Sequence, residues 1–399
     1  MERAFRREFI GFCAIEAVYF AIFANYSYQS VWLKEVGIGS SQIGLMVSIA
    51  SIIGIAACLI WGSVSDKLGS SKKVFIAVVS ITGVLYAFLP VLRNAGSNIV
   101  GILFVYIPLI YFFKQSGTSM MDSWIISATS NKGIPYGSMR KWGSVGYAVM
   151  SVIWGAVVGK YIGTEVVFFS MIPLVIIFNL ICLRQRTEVS ENSRFLREKA
   201  KDSSIETKGK AWKKLSENKA FIVYMIYAFG LNVYIGVSIV FMPFILEAAG
   251  CKSEQIGIVT GFRAVIEFGG MYIGTKIARK LPLRYIMIIP GILFALEHLL
   301  YHAAGNLRNM MSIMILSGAA GGLSYSIGPS YIYEIVTEDV KSRAQSLNAM
   351  NLTFTGIIGT AVGGYVIDLY GINILTTGCG IFIALLTVFF AINLKKGEV

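Results

Sequence analysis

The chain has 399 residues, 55% of them hydrophobic and 14% charged, with a formal net charge of +13. A soluble globular chain carries about 25% charged residues, so this composition excludes an ordinary soluble domain and implies a membrane protein. The basic excess falls in alternate loops between apolar runs, a topological signal and not a nucleic-acid-binding one.

Apolar runs of about 20 residues recur along the chain, each long enough to cross a hydrocarbon core of roughly 30 Å. A transmembrane barrel would instead show alternating segments of about 10 residues. Twelve spans are expected, near 8–33, 41–63, 73–92, 98–128, 137–160, 164–184, 220–246, 254–279, 284–303, 309–333, 344–367 and 373–394. The first run is too long for a signal-peptide core and lacks a small-residue cleavage site, so it reads as a retained helix.

Between the second and third spans lies a polar turn with Gly62, Asp66, Lys67, Gly69, Lys72 and Lys73. Its glycines suit a tight turn and close helix ends. Asp66 suits the start of a neighbouring helix, where the macrodipole favours an anion. The bland reading is an ordinary interhelical turn. Clusters such as Lys67/Lys72/Lys73, Lys276/Arg279/Lys280 and Lys341/Arg343 share one side, while Lys34, Arg93, Lys160, Lys252 and Arg308 are isolated on the other. The positive-inside rule then puts both termini in the cytoplasm of a cell whose plasma (inner) membrane the chain spans.

Residues 185–219 form a polar stretch of mixed charge that reads as a cytoplasmic linker. It separates six spans in 1–184 from six in 220–399. The halves repeat. Gln42-Ile43-Gly44 and Gln255-Ile256-Gly257 are 213 residues apart (255 − 42), and so are Gly143/Gly146 and Gly356/Gly359 (356 − 143). The expected fold is therefore all-α, with two pseudo-symmetric six-helix bundles. Repeats of this kind place a transporter's site at the midplane. The glycine pairs also suit plain close packing.

Ionisable residues inside spans are costly and mark candidate sites. Here they are Glu16, Lys114, Asp122, Arg140, Glu267, Glu297 and His298. Asp122 ends the fourth span and Arg140 begins the fifth, across a short loop, so the two belong at similar depth. A carboxylate facing a guanidinium suits a hydroxyl-rich ligand; the plain alternative is a helix-pinning salt bridge. Glu267 has Arg263 one turn before it, which permits an intrahelical pair. His298 titrates in the physiological range, although a lone histidine in an apolar helix is often only packed. Lys114 has Asp122 eight residues on, nearly the same face, and suits either a carboxylate such as Glu16 or an anionic ligand. The cysteines have no metal-ligand or disulfide spacing. No Walker motif, metal cluster or nucleophile–base set appears, so neither an enzyme nor an ATP-driven pump is expected, and no cofactor.

Gly62-x-x-x-Asp66-Lys67-x-Gly69 resembles the loop signature of the major facilitator superfamily, where it forms part of a cytoplasmic gate. Asp122-Ser-Trp124 together with Arg140-Lys-Trp142-Gly143-Ser-Val-Gly146-Tyr147 resembles the lactose permease group of sugar–proton symporters. The resemblance implies that Asp122 and Arg140 bind sugar hydroxyls, that Tyr147 stacks on the ring, and that Glu267 serves sugar binding and proton coupling. It is strongest over about Phe9–Gly159. The family's histidine and glutamate before a proline fall on Ser324 and Ile327, so His298 is named with Glu267 as a coupling candidate. The expected function is import of a small polar solute, a glycoside or oligosaccharide first, with a proton. A nucleoside or aromatic acid is the runner-up substrate, and a non-transporting sensor the alternative class. The expected partners are the solute, the proton and the bilayer, and a monomer is expected.

Overall fold

The computed structural model describes residues 2–129, 136–158, 163–185 and 212–394. The linker expected over 185–219 and the loop Asn131–Pro135 lie largely or wholly outside that range.

No strand occurs among the described residues. Among the described residues eleven helices are long and apolar enough to cross a membrane. They are α1 (Arg7–Glu35), α2 (Ser40–Leu68), α3 (Ser71–Gly96), α4 (Ile99–Thr129), α6 (Glu165–Arg184), α7 (Lys219–Ala248), α8 (Ile256–Ile277), α9 (Leu283–Ala303), α10 (Leu307–Ile335), α11 (Arg343–Tyr370) and α12 (Ile372–Ile392). The remaining expected span is also a helix, α5 (Tyr136–Val157). It stands apart from the eleven because its N-terminal half carries Arg140, Lys141 and several glycines and serines, which lower its hydropathy. Large apolar side chains point outward: Leu59 is 74% exposed, Val105 71% and Ile392 78%. In water such a surface would aggregate; in a bilayer it meets acyl chains. The chain is a multi-pass membrane protein.

The chain divides into two compact units, residues 1–201 with 254–261, and residues 202–253 with 262–399. Glu254–Gly261 thus groups with the first unit, a boundary that the sequence spacing does not show.

Within the first unit α1 packs on α5, α2 on α4 and α3 on α6. Within the second, α7 packs on α11, α9 on α12, and α8 meets α10. Each half thus repeats the same three pairings, as the 213-residue offset anticipates. Glycines make the closest of these crossings possible. A Cβ on Gly146 would run into the Ala17 carbonyl of α1, and one on Gly359 would lie 2.8 Å from the Val233 carbonyl of α7. The second unit is filled by a core that includes Tyr227, Phe294, Ile327, Ile332 and Phe390.

Among the breaks within spans of the first unit, those in α1 and α4 bear on the candidate residues. α1 passes through a 3-10 turn at Tyr26–Tyr28. Asn25, fully buried, holds that break: its Nδ2 donates to the Val167 carbonyl (2.8 Å) and to Ser170 Oγ (3.0 Å), and its Oδ1 accepts from Trp154 Nε1 (2.7 Å). Side-chain bonds of this kind are what irregular backbone at membrane depth requires. α4 breaks at Gln115–Ser116, between Ile99–Lys114 and Gly117–Thr129. The break interrupts the continuous face on which the sequence sets Lys114 and Asp122.

The polar turn after α2 is short. Gly69 ends the helix at φ +60°, a left-handed conformation suited to glycine, and its N–H reaches the Asp66 carbonyl. The next helix is capped by Ser70, whose Oγ accepts the Lys73 amide at 3.3 Å. Ser70 is thus the capping residue of that helix. Asp66, Lys67 and Lys73 are exposed. Lys72 donates to the Gln185 carbonyl at 2.5 Å and lies over the Trp124 ring at 5.4 Å. Gly62 has open space where a Cβ would stand, so close approach does not require glycine there.

Candidate functional site

The first unit carries its candidate residues on facing helices. Arg140, Gly143 and Tyr147 share one face of α5, being three and seven residues apart. That face meets α1. The Arg140 guanidinium lies 4.1 Å from the centroid of Phe20, a cation–π contact. Gly143 leaves room for both, since a Cβ there would sit 2.5 Å from the Phe20 ring and 2.9 Å from Arg140 Nη1. Two turns on, Tyr147 and Ser27 join their hydroxyls at 3.3 Å.

α1 offers Phe20, Phe23 and Ser27 at the same helical spacing, all three only partly buried. Phe20 and Phe23 are in ring contact at 5.8 Å, and Phe23 meets Tyr26 edge-on at 5.1 Å. The result is an aromatic ledge along α1. Tyr19, beside it, bonds Thr118 Oγ1 of α4 at 3.0 Å. Thr118 is one turn before Asp122, and Tyr19 lies within electrostatic range of both Asp122 and Arg140. The structure therefore sets Arg140 and Tyr147 against α1, and Thr118, one turn before Asp122, against Tyr19 of the same helix.

Lys114 stands at the far end of the ledge. Its Nζ is 4.0 Å from the Tyr111 ring centroid, 4.7 Å from that of Tyr26 and 6.0 Å from that of Tyr86. It donates to the Tyr86 hydroxyl at 3.5 Å, which in turn donates to Gln29 Oε1 at 2.6 Å. Glu16, offered by the sequence as a counter-charge, is ten residues before Tyr26, about 15 Å along the helix. The pairing of Lys114 with Glu16 is thus replaced by a cage of tyrosines.

Other aromatic residues prove structural. Trp124 is buried against Phe12 and Phe75, and Trp154 is bonded to Asn25. Tyr28 is fully buried. The residues that sequence reading passed over are Phe20, Phe23, Tyr26, Tyr86 and Tyr111. Their one local signal is spacing: Phe20 and Phe23, like Tyr111 and Lys114, are three apart on a helix.

In the second unit, Glu267 pairs with Arg263 along α8, Nη2 to Oε2 at 3.5 Å, with side chains 24% and 19% exposed. The intrahelical pair weighed from the sequence is present. Gly321 of α10 faces it; a Cβ there would be 3.1 Å from Glu267 Oε2. Gly322 similarly lets the α10 backbone meet the Glu267 carbonyl. Glu267 therefore sits at a close helix crossing, partly open, with a cation beside it.

His298 is fully buried on α9. Its Nδ1 donates to the Phe294 carbonyl at 2.7 Å, and a Cβ on Gly380 of α12 would lie 3.0 Å from the His298 Cβ. The neighbouring Glu297 accepts from the Tyr301 hydroxyl. Both are knitted into α9 and its packing. Among the described residues no group of His, Cys, Asp and Glu is arranged to hold a metal.

Residues 12–376 match the MFS_1 like family. The chain is similar to the uncharacterized transporter YwbF of Bacillus subtilis, at 22% identity over 84% of this chain and 80% of that protein. It is similar to the maltose permease of Geobacillus stearothermophilus, at 23% identity over 89% of this chain and 86% of the permease. Among solved structures it resembles the nucleoside transporter NupG, with a TM-score of 0.78 at 16% identity, over 97% of this chain and 99% of that one. At that identity the likeness speaks for the fold alone.

Proposed function

This chain belongs to the MFS_1 like family, and on that premise we propose that it imports a saccharide together with a proton by alternating access. It is a transporter of the major facilitator type; the solute, the coupling ion and the direction are the proposal. The observation that carries it is the α1–α5 face. Arg140 and Tyr147 stand two turns apart over an aromatic ledge that is only partly buried. Pyranose rings stack on such ring faces, and a guanidinium supplies a planar fork of donors to their hydroxyls. Asp122, electrostatically linked to the same stretch of α1, supplies an acceptor. The similarity to a maltose permease favours the same solute class.

In this reading Glu267 is the coupling group. It is a partly exposed carboxylate with a movable partner, so it can be protonated when Arg263 releases it. His298 is assigned to packing, because it is fully buried and its Nδ1 is bonded to the Phe294 carbonyl one turn back. The turn with Gly62, Asp66, Lys67, Gly69, Lys72 and Lys73 belongs to the cytoplasmic gate. Both termini face the cytoplasm, and the membrane is the plasma membrane. An aromatic acid is the second reading, favoured by Lys114 on its tyrosine faces.

The test is uptake of labelled disaccharides into proteoliposomes with and without an imposed pH gradient. Accumulation that requires the gradient supports the proposal. Ligand binding without any uptake would favour a sensor instead.

A further inference from the structure

The ledge has a cation at each end, and the two are not equivalent. Arg140 presents a fork over Phe20. Lys114 is enclosed: three tyrosine rings surround its ammonium, and the one hydroxyl that it contacts already gives its own proton to Gln29. Tyr86 and Gln29 are buried, and Tyr26 stacks on Tyr86 at 4.7 Å, so the cage is rigid. The contacts made by Lys114 among the described residues are thus all to neutral groups. Ring faces offset only part of the desolvation of a buried ammonium; the remainder calls for an anion. Taken over the whole residue Lys114 is intermediate in burial, so the enclosure of its side chain is incomplete.

We infer that Lys114 and its tyrosine cage form a carboxylate subsite at one end of the transport site, and that the solute is an acidic saccharide. The inference rests on the saccharide reading for its neutral part. Phe20, which carries Arg140, and Tyr26, which carries Lys114, are six residues apart, about 9 Å of helix. With the further third of a turn between the two positions around the helix, that rise exceeds one pyranose ring and calls for a second sugar unit. One sugar ring lies on Phe20 and Phe23 with its hydroxyls at Arg140, and the uronic-acid end places its carboxylate against the Lys114 ammonium. Tyr111 and Tyr26 fix the direction from which the carboxylate arrives, because their faces cover the other sides of the ammonium.

The experiment is calorimetric titration of the purified full-length chain with three probes: a neutral glucosyl-glucose disaccharide, the same disaccharide ending in glucuronate, and benzoate. The acidic disaccharide is expected to bind roughly tenfold tighter than the neutral one, as a charge-assisted hydrogen bond provides. That ratio should fall to about one in Lys114→Gln and persist in Lys114→Arg. Equal binding of both disaccharides by the unaltered chain would overturn the inference and leave the saccharide reading standing, and needs no variant to fold. A preference that survives Lys114→Gln would also overturn it. Lys114-dependent binding of benzoate with no binding of either sugar would keep the carboxylate subsite and sink the saccharide reading. Binding of none of the three would sink both.

Discussion

Single side chains carry the recognition in this account. A guanidinium offers two parallel donors, and an ammonium offers a point charge. Arg140→Lys is therefore expected to reduce saccharide affinity by at least about tenfold while the chain still folds, as a calorimetric titration beside a melting curve would show. Normal affinity in that variant would remove Arg140 from the site. Asp122, Arg140 and Glu267 stand out as candidates in the sequence because charge inside an apolar span is conspicuous, while Tyr147 is named by the family resemblance alone. The tyrosine cage was not. Tyr26, Tyr86 and Tyr111 come from three different helices, and tyrosines in spans are common enough to signal nothing alone. The direction of Lys114 was hidden for a related reason: the break at Gln115–Ser116 interrupts the face that unbroken helix geometry assumes.

Helix crossings obey the same small-residue logic in both halves, and they predict stability. A side chain at Gly146 must push α1 away from α5, because the Ala17 carbonyl occupies the Cβ position. Gly146→Val is expected to cost roughly 1–3 kcal/mol, read as a lower melting temperature in detergent. Gly62 provides the contrast, with open space at its Cβ. Gly62→Ala should keep or raise the melting temperature, since glycine is a poor helix former; any loss of uptake in that variant then reflects motion and not folding.

Outside the membrane, a short helix over 212–217 is tied to the turn before α11 by Lys214 and Asp339 at 2.6 Å. The Lys214 ammonium, with the Thr337 hydroxyl, holds the Asp339 carboxyl below its ordinary value. A depressed carboxylate keeps its tie above the ordinary pKa and loses it as pH falls through the depressed one. Protection of the amides in 212–217, corrected for the intrinsic pH dependence of exchange, should therefore be constant between about pH 5 and 8 and fall in Lys214→Ala. Unchanged exchange in that variant would show the tie to be idle, as many exposed pairs are.

At the scale of the molecule, all twelve expected spans are helices, and their edges agree closely with the apolar runs, because hydropathy reports bilayer crossing directly. The pairing of helices was legible only through the 213-residue offset. The grouping of Glu254–Gly261 with the first unit was not legible at all, since it follows from packing and not from pattern. The proposed coupling also belongs to this scale, because it would link a carboxylate on α8 to a solute bound at α1 and α5. Glu267→Gln fixes that carboxylate in its neutral form. Exchange of solute across the membrane should persist in this variant, while accumulation driven by a pH gradient should vanish. Accumulation that survives would take Glu267 out of the coupling step.

The central claim is that solute and proton cross together, and it is tested most directly by recording external pH as solute is added to proteoliposomes without an imposed gradient. The acidic disaccharide is expected to make the external medium more alkaline as protons enter, a response absent in Glu267→Gln. Uptake of the labelled disaccharide with no accompanying change in external pH would contradict it.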